Sequence, residues 1–589
     1  MSEEIKHECG IALIKLKKPK EYYQNTFGTE FYGLQKMKVL LEKQRNRGQD
    51  GAGIAIIDSK IKPCYQYLDI TKSIAPDPIS DLFRQLDEKV ANSEKLNLEQ
   101  ISGDLLLGHL RYGTYASYGI ENVHPFVRLD SWRSRSLILA GNFNLTNIDE
   151  LLLRLMNLGQ HPRESADTVI VLEKISHFLN AEVQRVFEEN KNHFSGLELS
   201  NFIESNLDIL QVIKKSVKHF DGGFALAGLT GFGSAFVVRD QNSIRPAYFF
   251  ENDDLVAVAS ERSPLVLAFN TSYSSIKEIP GGHALLIKQS GDAAIHSYSE
   301  PKPKKSCSFE RIYFSRSSDP EIYKDRKRLG AALARPILEK IEYKVSETVF
   351  SYVPNTSEVA FYGLLEEILK QTGQIPRMEK IIWKDTKART FITQKSNRNE
   401  MVGLVYEPTL DIISNNDLLV VIDDSIVRGT TLRESLLYIL NLVNPKEVIF
   451  TSTAPIIKYP DCYGINMSSF EEFLSFQAAI QYYSRNENED LLRSIIDTLK
   501  ENLTKKEKQE ILIKFYAQIP ENNFIQDMAN IIMPEVFRPK LSLIFQSLLD
   551  LKECIPDHSG TWYFDGVYPT DGGLHLAYKG LRDYLLKKK

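Results

Sequence analysis

The stretch LLVVIDDSIVRGTTLRESLLYIL, residues 418–440, is the strongest fold signal in this chain of 589 residues. An apolar run ends at two consecutive carboxylates, Asp423 and Asp424, and a short loop closes with Gly-Thr-Thr before a helix-like segment. In a parallel sheet such a loop follows the carboxyl end of a strand, where ligands of these folds bind. Loop amides and a helix N-terminus favour a phosphate, while paired carboxylates suit ribose hydroxyls or Mg²⁺. The pattern therefore predicts a phosphate-binding loop.

The regions on either side of this loop predict two kinds of domain. Strand-like and helix-like runs alternate beyond residue 320, which indicates an α/β domain with a parallel sheet. The first three hundred residues mix short β-rich runs with helical ones and predict α+β layers on antiparallel sheets. The run SEPKPKKS, residues 299–306, is a linker candidate, so we place the domains at 9–300 and 301–589. Residues from about 470 to 554 look like a helical insert.

Composition and charge exclude several classes of protein. Lys plus Arg (72) nearly balances Asp plus Glu (77), so the charge gives no reason to expect nucleic-acid binding. Five cysteines without a CxxC pair argue against a disulfide framework or a structural zinc site, and favour a reducing compartment. The start, MSEEIKHECG, lacks the features of a signal peptide, and no membrane segment is found. We expect a cytoplasmic protein.

Motifs in the second half resemble one family of enzymes. DDSIVRGTT is similar to the fingerprint of type I phosphoribosyltransferases, and most similar to the longer form found in the amidophosphoribosyltransferase family. In the same order as in that family, CSFERIYFSR resembles CxFEYVYFAR, VPNTSEVA resembles VPDS/T, RTFI resembles the entry to a flexible loop, and YPDCYGINM resembles HPxxYGIDM. The resemblance implies an α/β type I phosphoribosyltransferase domain that binds 5-phosphoribosyl-1-pyrophosphate.

The first half resembles the class II glutamine amidotransferases. ECGI, RNRGQDGAGI, GHLRYGTYAS, NVHPF and GNFNLTN are similar, in order, to CGI, QHRGQDAAGI, GHVRYSTxG, NAQPF and HNGNLTN. DQNSIRPAYF and ASERSPL look like DPxGIRPL and ASES, so the resemblance covers most of residues 9–470. It implies the N-terminal-nucleophile fold, an αββα sandwich.

The resemblance assigns the nucleophile to Cys9. A thiol that attacks an amide needs a base, and in N-terminal-nucleophile enzymes that base is the α-amino group of the cysteine, with a reference pKa of about 8. Residues 1–8 would then be a propeptide that must be removed.

The resemblance also implies the glutamine site. Arg111 would bind the α-carboxylate of glutamine as a bidentate pair, and Asp167 its α-ammonium, with Thr114 as a further glutamine-binding residue. Asn142 and the backbone N–H of Phe143 would form the oxyanion hole.

The second site, by the same resemblance, transfers the released ammonia to 5-phosphoribosyl-1-pyrophosphate. The product would be 5-phosphoribosylamine, in the step that opens de novo purine synthesis. Mg²⁺ would lie near Thr356, Asp423 and Asp424, and we expect a homo-oligomer. The residues implied to bind 5-phosphoribosyl-1-pyrophosphate are Arg389, Asp423, Asp424, Ser425, Arg428, Gly429, Thr430 and Thr431.

The chain departs from the family pattern at three places. Gly560 and Tyr563 stand where some members have two of the four cysteines of a [4Fe–4S] cluster, so we expect no cluster. The segment after Arg389 lacks much of the family's basic run. Phe143 replaces a glycine, which predicts backbone strain of about 1–2 kcal/mol if the position is left-handed, and a crowded glutamine pocket.

Two alternatives remain at this point. One is another class II amidotransferase, such as a sugar-phosphate aminotransferase, although those carry no DDSIVRGTT loop. The other is a degenerate paralogue that binds phosphoribosyl ligands and acts as a regulator or scaffold. The altered loop and Phe143 favour the paralogue, whereas the intact Cys9, Arg111 and Asp167 favour the enzyme.

Overall fold

The computed structural model divides the chain into two compact units, with the division between Ser306 and Cys307. This point lies at the end of the Pro- and Lys-containing run, six residues beyond the predicted boundary at 300/301. The residues that the structure describes are 9–61, 65–92, 101–112, 119–162, 164, 166–384, 406–430, 432–464, 469–485 and 488–587.

The amino-terminal unit contains two antiparallel sheets. The seven-stranded sheet has the order β11-β9-β10-β1-β4-β2-β3, and the six-stranded sheet has the order β13-β12-β8-β7-β6-β5. Their strands are β1 (Gly10–Leu16), β2 (Gly51–Ile57), β3 (Leu68–Ser73), β4 (Leu105–Arg111), β5 (Phe126–Arg128), β6 (Leu137–Leu145), β7 (Gly222–Thr230), β8 (Ala235–Arg239), β9 (Tyr248–Glu251), β10 (Leu255–Ala259), β11 (Lys277–Glu278), β12 (His283–Ile287) and β13 (Ala293–Ser297).

Helices cover the outer face of each sheet. The helices of this unit are α1 (Lys20–Phe27), α2 (Tyr32–Lys43), α3 (Pro78–Asn92), α4 (Ile148–Asn157), α5 (Asp167–Asn190), α6 (Gly196–Asn206), α7 (Ile209–Val217) and α8 (Arg262–Phe269). Buried residues of α1, α2, α3 and α8 pack on the seven-stranded sheet, and those of α4 to α7 pack on the six-stranded sheet. The predicted αββα sandwich is therefore confirmed.

The alternation of side chains along the strands separates three apolar layers. In β1, Ile11 and Leu13 point between the two sheets, whereas Ala12 and Ile14 point to the helices. In β6, Ile138 and Ala140 likewise face the gap between the sheets. Successive side chains of a strand point to opposite faces of the sheet, so alternate residues of one strand belong to the same apolar layer.

The carboxy-terminal unit is built on a five-stranded parallel sheet of order β15-β14-β18-β19-β20, as predicted for an α/β domain. A separate antiparallel pair is formed by β16 and β17. The strands are β14 (Thr348–Tyr352), β15 (Arg377–Met378), β16 (Ile382–Lys384), β17 (Tyr406–Pro408), β18 (Leu418–Asp423), β19 (Glu447–Ser452) and β20 (Lys540–Phe545).

The helices of this unit pack against the sheet and against one another. A buried cluster joins α10 and α11 to one face of β14, β18 and β19. The helices are α9 (Pro320–Ala332), α10 (Ala334–Lys340), α11 (Glu358–Thr372), α12 (Leu437–Val443), α13 (Leu474–Tyr483), α14 (Glu489–Ile496), α15 (Lys505–Ala517), α16 (Glu521–Ile532), α17 (Leu548–Cys554), α18 (Trp562–Asp565) and α19 (Asp571–Lys587). Within the described ranges, no helix is long and apolar enough to span a bilayer.

The prediction of a helical insert over residues from about 470 to 554 is wrong at one place. Helices α13 to α16 end at Ile532, and the chain then forms β20, which pairs in parallel with β19. The strand was missed because KLSLIF is only six residues long, and its partner lies about ninety residues earlier in the chain.

Candidate active sites

Cys9 lies immediately before β1, and it continues the odd-numbered series that points into the gap between the sheets. The backbone N–H of Tyr112 donates a hydrogen bond to its Sγ at 3.5 Å. Desolvation raises the pKa of the Cys9 thiol to about 11, although the Tyr112 N–H and the charge of Arg111 oppose this rise. The thiol is therefore protonated at neutral pH and needs a base before it can attack a carbonyl.

The start of β1 is held by two residues that the sequence analysis did not single out. The Ile11 N–H donates to Ser260 Oγ at 3.0 Å, and Gln44 Nε2 donates to the Ile11 carbonyl at 3.3 Å. Gln44 Oε1 in turn accepts from the Ser260 N–H at 3.0 Å. These three groups form a closed set of hydrogen bonds, so the backbone next to Cys9 is fixed from both sides.

A buried ion pair joins two of the amino-terminal motifs. Arg47 Nε lies 2.7 Å from Glu261 Oε1, and both side chains are almost fully buried. Asn46 Nδ2 donates to the same carboxylate oxygen at 2.7 Å. The segment RNRGQDGAGI therefore contacts the segment ASERSPL through the Glu261 carboxylate.

Arg111 lies next to Cys9 across the sheet. Gly10 pairs with Leu110 in the β1–β4 ladder, so extending that register by one residue places Cys9 opposite Arg111. Directly opposite residues of an antiparallel pair project to the same face. Arg111 is buried. Its charge lowers the pKa of the Cys9 thiol, and the charge of Asp167 raises it. Asp50, which the sequence analysis did not select, also lies within electrostatic range.

Asp167 is the first residue of α5, and its neighbour Thr168 holds its carboxylate. Oδ1 accepts from the Thr168 N–H at 2.6 Å and from the Thr168 hydroxyl at 3.2 Å. Burial raises the pKa of Asp167, and the two hydrogen bonds from Thr168 lower it. A buried carboxylate of this kind gains most from a cationic ligand. Thr114 lies outside the described residues.

Asn142 and Phe143, the predicted oxyanion donors, lie in β6. The register of β6 with β7 indicates the direction of the Phe143 N–H. Asn142 continues the series that faces the gap between the sheets, as Cys9 does. Phe143 pairs with Phe224, whose N–H and C=O both bond to Asp240 on the far side of β7. The Phe143–Phe224 pair is therefore not hydrogen-bonded, and the Phe143 N–H points away from β7.

Phe143 does not have the strained backbone that the sequence analysis considered. Its backbone is extended, as part of β6, and its ring packs against the cluster under α4 to α7. A Cβ added to Gly141 would lie 2.7 Å from Phe143 Cδ1, so the ring fills the space beside that glycine. The strain hypothesis for Phe143 is therefore wrong.

We expect Phe143→Gly to lower the free energy of unfolding by about 2–4 kcal/mol, because it removes a packed ring and adds a flexible residue to a strand. Glutaminase turnover should not rise, since residue 143 contributes only its N–H. Denaturant unfolding and glutamine-dependent rates test this, with Phe143→Leu as the variant that keeps most of the volume. A faster glutaminase in Phe143→Gly would instead restore the crowded-pocket hypothesis.

In the second unit, Asp423 ends β18 and Asp424 begins the loop. Asp423 Oδ1 accepts from the Asp424 N–H at 2.8 Å and from Ser357 Oγ at 3.1 Å, while Ser425 Oγ donates to Asp424 Oδ1 at 3.1 Å. Burial raises the pKa of both carboxyl groups, and the charge of Asp423 raises that of Asp424 further. Lys384 opposes both shifts, so the pair suits a cationic ligand.

Ser357 contacts the carboxylate pair, whereas the predicted metal residue was its neighbour Thr356. Ser357 is buried at the start of α11, immediately after the VPNT part of the motif. The motif indicated the correct segment, but the contact depends on which of two adjacent hydroxyls faces β18. Only the packing of α11 against the sheet settles that.

The loop after the carboxylates is shaped by the helices that follow it in the chain. Gly429 has φ +71°, and a Cβ there would lie 2.5 Å from Ile532 Cγ2 of α16. The Leu474 N–H donates to the Val427 carbonyl at 2.9 Å. Arg428, expected to contact a phosphate, forms a 2.5 Å ion pair with Glu472. The helical segment therefore supports the loop directly.

The remaining predicted residues of this site are only partly described. Thr430 is exposed at the start of the following helical turn, whose Arg433 N–H donates to the Gly429 carbonyl at 2.8 Å. Thr431 and Arg389 lie outside the described residues, as does the segment after Arg389.

Curated relatives and solved structures cover most of the chain. Amidophosphoribosyltransferase from Methanocaldococcus jannaschii is 28% identical over 455 residues, which is 73% of this chain and 83% of the relative. The enzyme of that name from Bacillus subtilis is 28% identical over 457 residues, 77% of this chain and 81% of the relative. No protein-family model matches the chain.

The solved structure of the glutamine phosphoribosylpyrophosphate amidotransferase from Bacillus subtilis, complexed with ADP and GMP, has a TM-score of 0.61 and 25% identity, covering 96% of this chain and 98% of its own. The chain is similar to amidophosphoribosyltransferases over most of its length. A second structure, described as the allosteric regulatory enzyme of purine biosynthesis, has a TM-score of 0.64 at 23% identity. It covers 98% of this chain and 99% of its own, and it supports the assignment of the fold.

Gly560 and Tyr563, which stand at two cluster-cysteine positions of the family pattern, both lie beside Cys307. Cys307 forms a β-bridge to Gly560, and its Sγ lies 2.9 Å from the Tyr563 hydroxyl. One thiol beside a glycine and a phenol does not fit an iron–sulfur cluster. Over the described part of the chain, no group of three or more His, Cys, Asp or Glu residues is placed to hold a metal. The absence of a cluster stays a prediction.

Proposed function

We propose that the protein is a glutamine-dependent amidophosphoribosyltransferase. It hydrolyses glutamine at Cys9 and transfers the ammonia to 5-phosphoribosyl-1-pyrophosphate, giving 5-phosphoribosylamine, glutamate and pyrophosphate. The observation that carries the proposal is that one chain holds a Cys9–Arg111–Asp167 site between antiparallel sheets and an Asp423–Asp424 loop at the carboxyl end of a parallel strand. The similarity to amidophosphoribosyltransferases along most of the chain supports it.

In the first half-reaction, Arg111 and Asp167 hold the two charged groups of glutamine while Cys9 attacks its side-chain amide. The α-amine of a processed Cys9 takes the thiol proton and returns it to the departing ammonia. Asn142 and the Phe143 N–H stabilise the oxyanion, a contribution worth about 10²–10³ in kcat for one such donor. Water then releases glutamate from the thioester.

In the second half-reaction, ammonia attacks C1 of the ribose and pyrophosphate leaves. The Gly429 loop binds the 5-phosphate through backbone N–H groups and hydroxyls. Asp423 and Asp424 fit a Mg²⁺ ion, because their pKa values are raised and their oxygen donors match its preference. Bound there, Mg²⁺ would neutralise charge on the pyrophosphate. Lys384 would pair with the same anion.

The mature chain should begin at Cys9. The raised pKa keeps the thiol protonated at neutral pH, so the attack needs a base, and in the proposed chemistry that base is the free α-amine of Cys9. Intact-mass spectrometry of active enzyme is expected to show loss of residues 1–8. Fully active enzyme that still carries Met1 or Ser2 would contradict this prediction, since removal of methionine alone stops at Ser2.

The direct test incubates purified protein with glutamine, Mg²⁺ and 5-phosphoribosyl-1-pyrophosphate, and measures pyrophosphate. We expect pyrophosphate and glutamate in equal amounts. Binding of 5-phosphoribosyl-1-pyrophosphate without turnover would favour the regulatory paralogue. Glutamine hydrolysis with a sugar phosphate as acceptor would favour another amidotransferase. The cytoplasmic location and the homo-oligomeric state stay predictions.

A further inference from the structure

Two stacked histidines lie behind the glutamine site. The rings of His109 and His124 are 4.2 Å apart between centroids, with planes 19° from parallel, and both residues are buried. His109 is part of β4, and His124 lies just before β5. The proposed chemistry uses neither ring.

Both rings form hydrogen bonds with the backbone of Gly141, the residue before Asn142. The Gly141 N–H donates to His124 Nδ1 at 3.2 Å, and His109 Nε2 donates to the Gly141 carbonyl at 3.2 Å. Strand β6, which carries both proposed oxyanion donors, is therefore held at Gly141, the residue that precedes them.

The His124 ring also reaches the other end of the glutamine site. Since Nδ1 accepts from Gly141, the neutral ring carries its proton on Nε2, which lies 3.1 Å from Thr168 Oγ1. The Thr168 hydroxyl then donates to Asp167 Oδ1 at 3.2 Å. Donation runs in one direction from the Gly141 N–H, through His124 and Thr168, to the Asp167 carboxylate.

The direction of this chain is stable at neutral pH. Burial lowers the pKa of His109 to about 3 and lowers that of His124 well below its ordinary value. Both rings are therefore neutral, and His109 Nδ1 has no hydrogen-bond partner within the described part of the chain, as an unprotonated nitrogen would. A charged His124 could not accept from Gly141.

We infer that His124 and Thr168 are positioning residues that connect the oxyanion strand β6 to the carboxylate of Asp167. The inference rests on the proposed function, since it assigns these two residues to the glutamine site. The amide oxygen and the α-ammonium of one substrate must be held at a fixed separation, and a rigid hydrogen-bonded link between their binding groups sets it.

The first test uses Thr168→Val, which removes the hydroxyl and keeps the volume. The readout is the ratio of kcat/KM for L-glutamine to kcat/KM for 4-carbamoylbutanoate, which lacks the α-amino group. The Asp167 carboxylate then loses one of its two donors and keeps the Thr168 N–H, so it recognises the ammonium less well. We expect the ratio to fall about tenfold, mainly through KM for glutamine. Thr168→Ser should restore it.

Thr71→Val is the matched control. Thr71 is buried in the same unit, on β3, and its hydroxyl donates to the Asp69 carboxylate at 2.9 Å and accepts from Lys89 of α3 at 2.7 Å. It should leave the ratio unchanged. Thr168→Ala, which adds no bulk, gives the same test if the valine variant does not fold.

The second test addresses His124. His124→Leu breaks the link at both ends, so KM for glutamine should rise and glutaminase kcat should fall, each about tenfold. His124→Gln offers an amide oxygen to Gly141 and an amide N–H to Thr168, and should recover most of both values.

The outcomes separate the two proposals. If the wild-type protein hydrolyses neither amide, the proposed function fails, and this inference fails with it. If the wild type is active and Thr168→Val keeps the wild-type ratio, the inference alone is overturned. The same holds if His124→Leu lowers the melting temperature but leaves KM and kcat unchanged.

Discussion

Cys9→Ala should abolish glutamine-dependent synthesis of 5-phosphoribosylamine and preserve synthesis from high concentrations of ammonium. The Cys9 thiol lies within electrostatic range of both Arg111 and Asp167 and is the proposed nucleophile, so its loss removes the covalent step. Loss of a nucleophile lowers kcat by about 10⁴-fold or more. The proposed phosphoribosyl site belongs to the other unit and would use ammonia directly. Pyrophosphate release with each nitrogen source measures the difference.

A buried cysteine of the carboxy-terminal unit supplies the control for this variant. Cys554→Ala removes a buried thiol and should change neither rate appreciably. If Cys9→Ala also lost the ammonium reaction while Cys554→Ala did not, the division of the two half-reactions between the units would be incorrect.

Asp424→Asn should disable both reactions, because both consume 5-phosphoribosyl-1-pyrophosphate. The asparagine keeps the shape of the side chain but loses the charge that binds Mg²⁺, and it leaves Asp423 alone in a desolvated site. We expect a loss of about 10²-fold or more with either glutamine or ammonium. The magnesium dependence of pyrophosphate release measures the effect.

Asp417→Asn is the matched control for Asp424→Asn. Asp417 directly precedes β18, at the opposite end from the carboxylate pair, and forms an ion pair with Arg377 at 2.9 Å. It should leave the ammonium-dependent rate within about twofold of wild type, because a partly exposed pair contributes about 1 kcal/mol or less. An Asp424→Asn enzyme with normal ammonium-dependent synthesis would remove Asp424 from the site.

A short stretch of sequence can predict a ligand-binding loop when the features that form the loop are adjacent in the chain. A buried strand followed by Asp423 and Asp424 locates a ligand loop without knowledge of the rest of the fold. Cys9, Arg111 and Asp167 were predicted through the resemblance of their motifs to the class II glutamine amidotransferases. Strand and helix periodicity predicted antiparallel α+β layers and a parallel sheet, whereas the αββα sandwich followed from the family resemblance.

The missed features depend on contacts between distant parts of the chain. Ser260 reaches Ile11 across 249 residues, and no local signal links them. The conformation of Phe143 depends on its register with β7 and on the lack of a side chain at Gly141, which leaves room for the ring. A motif cannot show either. Long-range packing also brings the Ser357 hydroxyl to Asp423, a contact that the motif did not indicate.

The late position of β20 in the chain has a consequence for synthesis on the ribosome. The edge of β19 that pairs with β20 has no partner until about ninety more residues have been made. At about 5–20 residues per second this interval lasts on the order of 4–20 s. During that time an apolar strand, including Val448 and Phe450, presents an open edge that other chains could pair with. The nascent chain should therefore depend on chaperones until residue 545 has emerged.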